Sequence, residues 1–274
     1  MPMTPLLWVA VALVITIAGT ELLRRAPPRW AAAGLLLVPA LATPQWLAAG
    51  APSFSVVKVY SVVVAALYIQ ALRLRPQVSR CWQWAGTLLL AANMLEAVVT
   101  EWLRVGWPNA VAGLLLVAAM APPSAIQVGP PPWREVRYPL GVPWILAYSL
   151  WNLVFVYGDR PEFTAFALVH VLAPLLAGGG RADRWIQART AALALLMMVR
   201  MSAPQPPWLV RVPEWHHPDW ARGLAWLSLA VAAAVALQSG WRRASADGPR
   251  KLLGALLARR RERRALDAAG GPPN

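Results

Sequence analysis

The chain has 274 residues, 58% of them hydrophobic and only 14% charged, against about 25% charged in an ordinary soluble domain. So few charges cannot cover so much apolar surface in water, which argues against a soluble fold and for lipid as the solvent. The net charge of +14 does not mark a nucleic-acid partner, because the basic residues punctuate apolar runs and collect after Trp241, as positive-inside loops and a basic tail do.

A membrane-crossing helix needs about 20 mostly apolar residues. Taken in chain order, the candidates are Thr4–Leu23, Trp30–Gly50, Ser53–Leu74, Trp82–Thr100, Trp107–Ala121, Pro139–Tyr157, Pro161–Leu176, Trp185–Met201 and Trp220–Gly240. The fold class is therefore all-α: a polytopic transmembrane helix bundle of about nine spans, or eight if the short, Pro-bounded Trp107–Ala121 is re-entrant. The first run lacks a positive leader and a cleavage site, and Arg24, Arg25 and Arg29 follow it, so it reads as a retained span. Pro39, Pro44 and Pro174 fall inside apolar runs and predict kinks. Asp159, Pro161 and Glu162 together resemble a helix start, and Asp219 before Trp220 could cap the last span.

Two domains follow from composition: the bundle over residues 1–241, and a basic tail over 242–274 that is amphipathic or disordered. In the tail Leu252, Leu253, Leu256 and Leu257 share a helical face beside Lys251, Arg259, Arg260, Arg261, Arg263 and Arg264. That pattern suits anionic lipid. With the N-terminus outside, Arg73, Arg75, Arg80, Arg134, Arg137, Arg181, Arg184 and the tail all lie inside, and few basic residues lie outside. Nine spans thus satisfy the positive-inside rule and place the C-terminus in the cytoplasm of a bacterial inner membrane.

Polar groups within spans are costly and usually face a bundle interior. Depth along each helix, at about 1.5 Å per residue, puts Lys58, Ser61, Asn93, Glu96, Tyr148 and Asn152 at similar height in the outer half, with His170 as a marginal member. Lys58 and Glu96 have opposite signs and matched depth, so pairing is the economical arrangement, with Asn93, Ser61 and Asn152 meeting the remaining donors and acceptors. Snorkelling of Lys58 and interhelical glue are the bland alternative. A looser group, Glu21, Tyr68, Gln70, Gln187 and Arg189, lies toward the cytoplasmic side, where Glu21 should pair with a nearby Arg. Glu214, His216, His217 and Asp219 are metal-ligand types, but adjacent histidines diverge and no zinc spacing is present, so they read as solvated loop residues. The single cysteine, Cys81, rules out an intramolecular disulfide and a cysteine metal cluster. No nucleotide-binding, metalloprotease or hydrolase motif occurs, and no cofactor is implied.

The stretch Tyr148-Ser-Leu-Trp-Asn-Leu-Val-Phe-Val-Tyr157, with Asn93-Met-Leu-Glu96, Trp185-Ile-Gln-Ala-Arg189 and the Lys58–Ser61 element, resembles a family of uncharacterised bacterial multi-pass membrane proteins. The likeness covers roughly Ser53 to Met201. It implies interest in Lys58, Asn93, Glu96, Trp151, Asn152 and Arg189, and no activity.

Three functions fit the residues. The first is a transporter- or channel-like protein with a polar pocket in the outer half of the bundle and an unidentified small-molecule or ion ligand. The second is a membrane-embedded enzyme on a lipid-like substrate, with Glu96 as general acid or base and Lys58 as its electrostatic partner. The third is a structural or assembly subunit of a membrane complex. A water-accessible cavity running from Lys58 toward the cytoplasmic face would favour the first, a pocket opening sideways to lipid the second, and no cavity the third.

Overall fold

The structure, a computed structural model, describes residues 5–104, 106–159, 161–202, 212 and 216–269. Among them run nine α-helices: α1 Pro5–Arg25, α2 Pro28–Ala48, α3 Ser53–Arg73, α4 Arg80–Arg104, α5 Trp107–Ala118, α6 Val142–Asp159, α7 Thr164–Ala177, α8 Trp185–Ser202 and α9 Pro218–Ala269. Three of these contain stretches long and apolar enough to cross a membrane: Pro28–Ala48, Ser55–Arg73 and Pro218–Ser245. Proline sits in the first turn of α2 and α5, where its missing N–H costs nothing. Pro39, Pro44 and Pro174 lie inside helices α2 and α7. Asp159 ends α6, and a 3-10 turn over Pro161–Phe163 precedes α7. At 52 residues, α9 is about 78 Å long, and it continues through residue 242 without a break. The leucine face of its last turns falls on side chains outside the described ones, as do Glu214 and Arg211 of the preceding loop.

One element corrects the purely helical expectation. Between α5 and α6 the chain forms a small antiparallel hairpin, β1 Gln127–Val128 and β2 Val136–Arg137, in register Gln127↔Arg137 and Val128↔Val136. Two-residue strands leave no periodic signal to read. Val136 and Tyr138 of this segment are buried within the bundle.

The helices fall into two groups. In one, α8 packs against α1, α2, α3 and α7; in the other, α4, α5, α6 and α9 pack together. Helices α6 and α7 join the groups, whereas α3 and α4 touch only sparsely although they are consecutive. Contacts at the helix ends show that α5 and α9 run in the same direction, as two odd-numbered elements of an alternating bundle do. Trp107, at the start of α5, meets Trp226 of α9 edge-on at 4.9 Å, and Arg243 further along α9 donates to the Ala118 and Met120 carbonyls just past the other end of α5.

Large apolar side chains face outward along the bundle, among them Val14, Leu36, Leu41, Val57, Leu88 and Leu237. Exposed tryptophans gather at its two ends: Trp30, Trp84 and Trp241 at one, Trp102, Trp107 and Trp220 at the other. Apolar flanks between aromatic girdles are how a protein meets a bilayer. Inside, Gly113 lets α5 approach closely, since a Cβ there would lie 2.5 Å from Val98 and 2.9 Å from the Trp151 indole nitrogen.

The end carrying Arg24, Arg73, Arg134 and Arg184 is tied by charge. Arg73, only 1% exposed, donates to the Leu23, Arg24 and Ala26 carbonyls that end α1, to the Trp133 carbonyl of the hairpin segment, and to Gln70. Arg134 returns a bond to the Arg73 carbonyl at 2.6 Å. Glu135 is clamped between Arg24 at 2.6 Å and Arg184 at 2.8 Å, while Gln187 accepts the Val136 N–H. Glu21 pairs with Arg24 and Arg25. Beside them, Arg181 and then Arg137 hold the Asp183 carboxyl below its ordinary range.

Replacing Arg73 with Met strands the α1 carbonyls and unties the hairpin. The expected loss is about 2–5 kcal/mol, read as a lower unfolding midpoint together with faster proteolysis between residues 126 and 137. A variant as stable and as protease-resistant as the parent would remove Arg73 from this role.

Candidate functional site

Where the two helix groups meet, they leave a cavity of about 220 Å³ between α3, α4, α6, α8 and the hairpin. Its walls are mainly aliphatic, from Val62, Ile69, Leu89, Ile186 and Leu193, and its floor is formed by Ile126, Val136 and Tyr138 of the hairpin segment. Its polar lining comes from Ser61, Asn93, Glu96, Tyr148, Arg189 and Thr190, with Tyr68 and Tyr138 at the hairpin end. Ser61, Ala92 and Glu96 are cavity-lining yet exposed. The cavity therefore opens sideways, through the gap where α3 and α4 separate.

That gap is crossed at each end. Toward the hairpin, Tyr68 of α3 stacks on Trp82 of α4 with ring centroids 5.7 Å apart and donates to the Trp82 carbonyl. Gly86 leaves room for it, since a Cβ there would fall 2.5 Å from the Tyr68 hydroxyl. Toward the opposite end, Lys58 Nζ meets Glu96 Oε2 at 2.6 Å, with side chains 26% and 44% exposed. The pair is a strap over the mouth of the cavity rather than a charge pair sealed in the core.

The other expected site residues divide. Ser61 Oγ donates to the carbonyl of Lys58, one turn back on its own helix, and not to the Glu96 carboxylate. A helical serine satisfies itself this way without reaching across. Asn93 lines the cavity near Glu96. Asn152 is buried, with no hydrogen-bond partner for its Oδ1 among the described residues, so it does not serve the Lys58–Glu96 pair.

His170 and Tyr148 turn instead to Arg189, which sequence depth had grouped with Glu21. Arg189 is 4% exposed. Its guanidinium lies against the His170 ring, donates to the Tyr148 hydroxyl at 3.3 Å, and sits 5.5 Å from the Tyr148 ring centroid. The backbone of Arg189 starts one turn into α8, but an extended arginine side chain reaches another turn. Pro174, four residues after His170, removes the donor that would have bonded the His170 carbonyl.

Sequence depth also passed over a second buried network. Glu101 is fully buried at the end of α4 and accepts from Asn109, which also donates to the Trp151 carbonyl at 3.2 Å. Trp151 returns its indole N–H to the Asn109 carbonyl at 3.0 Å. An acid beside Trp102 and Arg104 reads as interfacial, and only the turn through Gly106 folds it under α5 and α6. Of the two histidines just before α9, His216 lies 3.1 Å from the Tyr157 carbonyl, and His217 accepts the Asp219 N–H while lying beside its carboxylate.

These features define a helical protein with apolar outer flanks and a mainly aliphatic cavity, carrying a few polar groups, at the seam of its two helix groups. The chain belongs to a family of unknown function (DUF5692), whose family model matches residues 2–247. The match stops just past Ser245, where the apolar stretch of α9 ends. No curated protein sequence and no solved structure matches the chain.

The Lys58–Glu96 strap is open to a double-mutant cycle. Lys58→Met and Glu96→Gln should each lower the unfolding midpoint, and the double variant should recover part of the loss, with a coupling of about 0.5–2 kcal/mol. Additive losses would show that the two side chains do not act on one another.

Proposed function

We propose that this is a nine-span membrane protein of transporter type, with its N-terminus outside and its C-terminus in the cytoplasm. Its seam cavity takes a ligand from within the bilayer. The observation that carries the reading is the sideways opening between α3 and α4: an aliphatic cavity with a few convergent polar groups is the usual form of a ligand site. This one is closed toward the basic end by the hairpin and faces the flank of the bundle. The antiparallel run of α3 and α4, the parallel run of α5 and α9, and the gathering of Arg24, Arg73, Arg134 and Arg184 at one end support the topology. The Pro-containing helices α2 and α7 both belong to the α8 group and give it the interrupted helices on which transporter motion relies.

The sideways opening is also what an enzyme acting on a lipid would need. We rank that reading second because Glu96, its general acid or base, is held by Lys58, and the cavity hydroxyls of Ser61 and Thr190 each donate to a carbonyl of their own helix. A continuous water channel is disfavoured by the packed hairpin floor.

Two measurements test the proposal. A reporter fused at Gly270 should behave as cytoplasmic; a periplasmic signal would reverse the topology. For the opening, the native thiol is removed by Cys81→Ser and a fluorophore is attached at Ala92→Cys. Nitroxide-bearing lipid should quench it more strongly than aqueous iodide does. The reverse order would indicate a water-filled mouth and favour a channel.

A further inference from the structure

The cavity holds a cation for which the described residues supply no counter-ion. Every carboxylate whose ion pair is resolved is engaged elsewhere: Glu21 and Glu135 by Arg24, Glu96 by Lys58, Asp183 by Arg181, and Asp219 by Arg222. Among the described residues the polar partners of the Arg189 side chain are neutral, the His170 ring and the Tyr148 hydroxyl. A guanidinium carries five N–H donors in a planar fork and is always charged. Two such neighbours leave part of that fork turned to the cavity it lines. Burying a charge without an opposite charge is expensive, and proteins carry that cost chiefly where a ligand relieves it. Most of the remaining lining is aliphatic, which suits a hydrocarbon and not a free hydrated ion.

We infer that Arg189 receives the oxyanion of an amphiphile, a carboxylate or phosphate on an apolar chain, whose chain leaves the cavity through the gap between α3 and α4. This rests on the seam cavity being a ligand site. A volume of about 220 Å³ holds a headgroup and the first few carbons, so the rest of the chain must lie in the opening or in the surrounding bilayer. Bidentate hydrogen bonds from the fork would orient the headgroup. Tyr148 and His170 position the guanidinium. The Lys58–Glu96 strap crosses the mouth as a neutral pair, so it presents no net charge to an incoming anion.

The test uses the full chain in phosphatidylcholine nanodiscs, with unfolding followed by tryptophan fluorescence. The probes are laurate, dodecyl phosphate, dodecanol and inorganic phosphate. At saturating probe, laurate or dodecyl phosphate should raise the midpoint by about 3 °C or more, while dodecanol and inorganic phosphate should leave it within about 1 °C. Whichever of the two anions gives the larger shift assigns the headgroup. Arg189→Gln should abolish the shift. Should that variant not fold, Arg189→Lys keeps the charge but loses the fork, and should bind the better probe about tenfold more weakly. Undiminished binding by the variant that folds would overturn the inference. An equal shift from dodecanol, lost on filling the cavity by Ala65→Trp, would keep the ligand site and overturn its anion selectivity. A shift from inorganic phosphate alone would overturn the amphiphile. No shift from any probe would overturn both the inference and the site.

Discussion

The rest of the structure depends on how Arg73 is satisfied. In hydrocarbon or at its edge, an unmet backbone carbonyl or an unpaired cation has no water to fall back on. Arg73 resolves several such debts at once. It closes the last carbonyls of α1, holds the Trp133 carbonyl and is itself held through Gln70. The hairpin is thereby fixed against α1 and α3, and Glu135, clamped by Arg24 and Arg184, fastens it to α8 as well. With the hairpin in place, Ile126, Val136 and Tyr138 become the floor of the seam cavity. The polar end of the bundle thus shapes the apolar chamber above it.

The chamber exists because consecutive helices fail to pack. Helices α3 and α4 join different groups and meet only through Tyr68, Trp82 and Gly86 at one end and Lys58–Glu96 at the other. A gap left in water would collapse or fill with solvent. On the flank of a membrane bundle, hydrocarbon chains can line it at little cost, which makes a sideways opening stable without a lid. Two charge arrangements then differ in kind along one cavity. Lys58 and Glu96 neutralise one another and are half exposed, so they hold helices. Arg189 is sealed in among neutral groups, so its field is not cancelled by an opposite charge among the described residues, which is the basis of the proposed anion site.

Much of this was legible in the sequence, and the parts that were not share a cause. Helix count, positions and the Lys58–Glu96 pairing follow from apolar run length and from depth, which backbone rise alone determines. Depth failed for Arg189 because it places Cα atoms, whereas a long side chain carries its charge a further turn, to His170 and Tyr148. It failed for Glu101 because a chain reversal, not position along α4, buries that acid beneath Asn109 and Trp151. Arg73 looked like one more loop arginine of the positive-inside pattern, and nothing in its neighbours announces that it is buried. The hairpin is too short to have a period. In each case the missing information is a long-range contact. The resemblance partly compensated, since its motifs include Tyr148, Trp151 and Arg189, all of which lie at or beside the cavity.

The most direct test of the central claim is native mass spectrometry of the protein released from its own membrane, comparing the parent with Arg189→Gln. The account predicts that the parent retains a carboxylate- or phosphate-bearing amphiphile in about one-to-one ratio, and that the variant loses it while keeping its neutral lipid adducts. The same anionic adducts at the same occupancy in both proteins would contradict it.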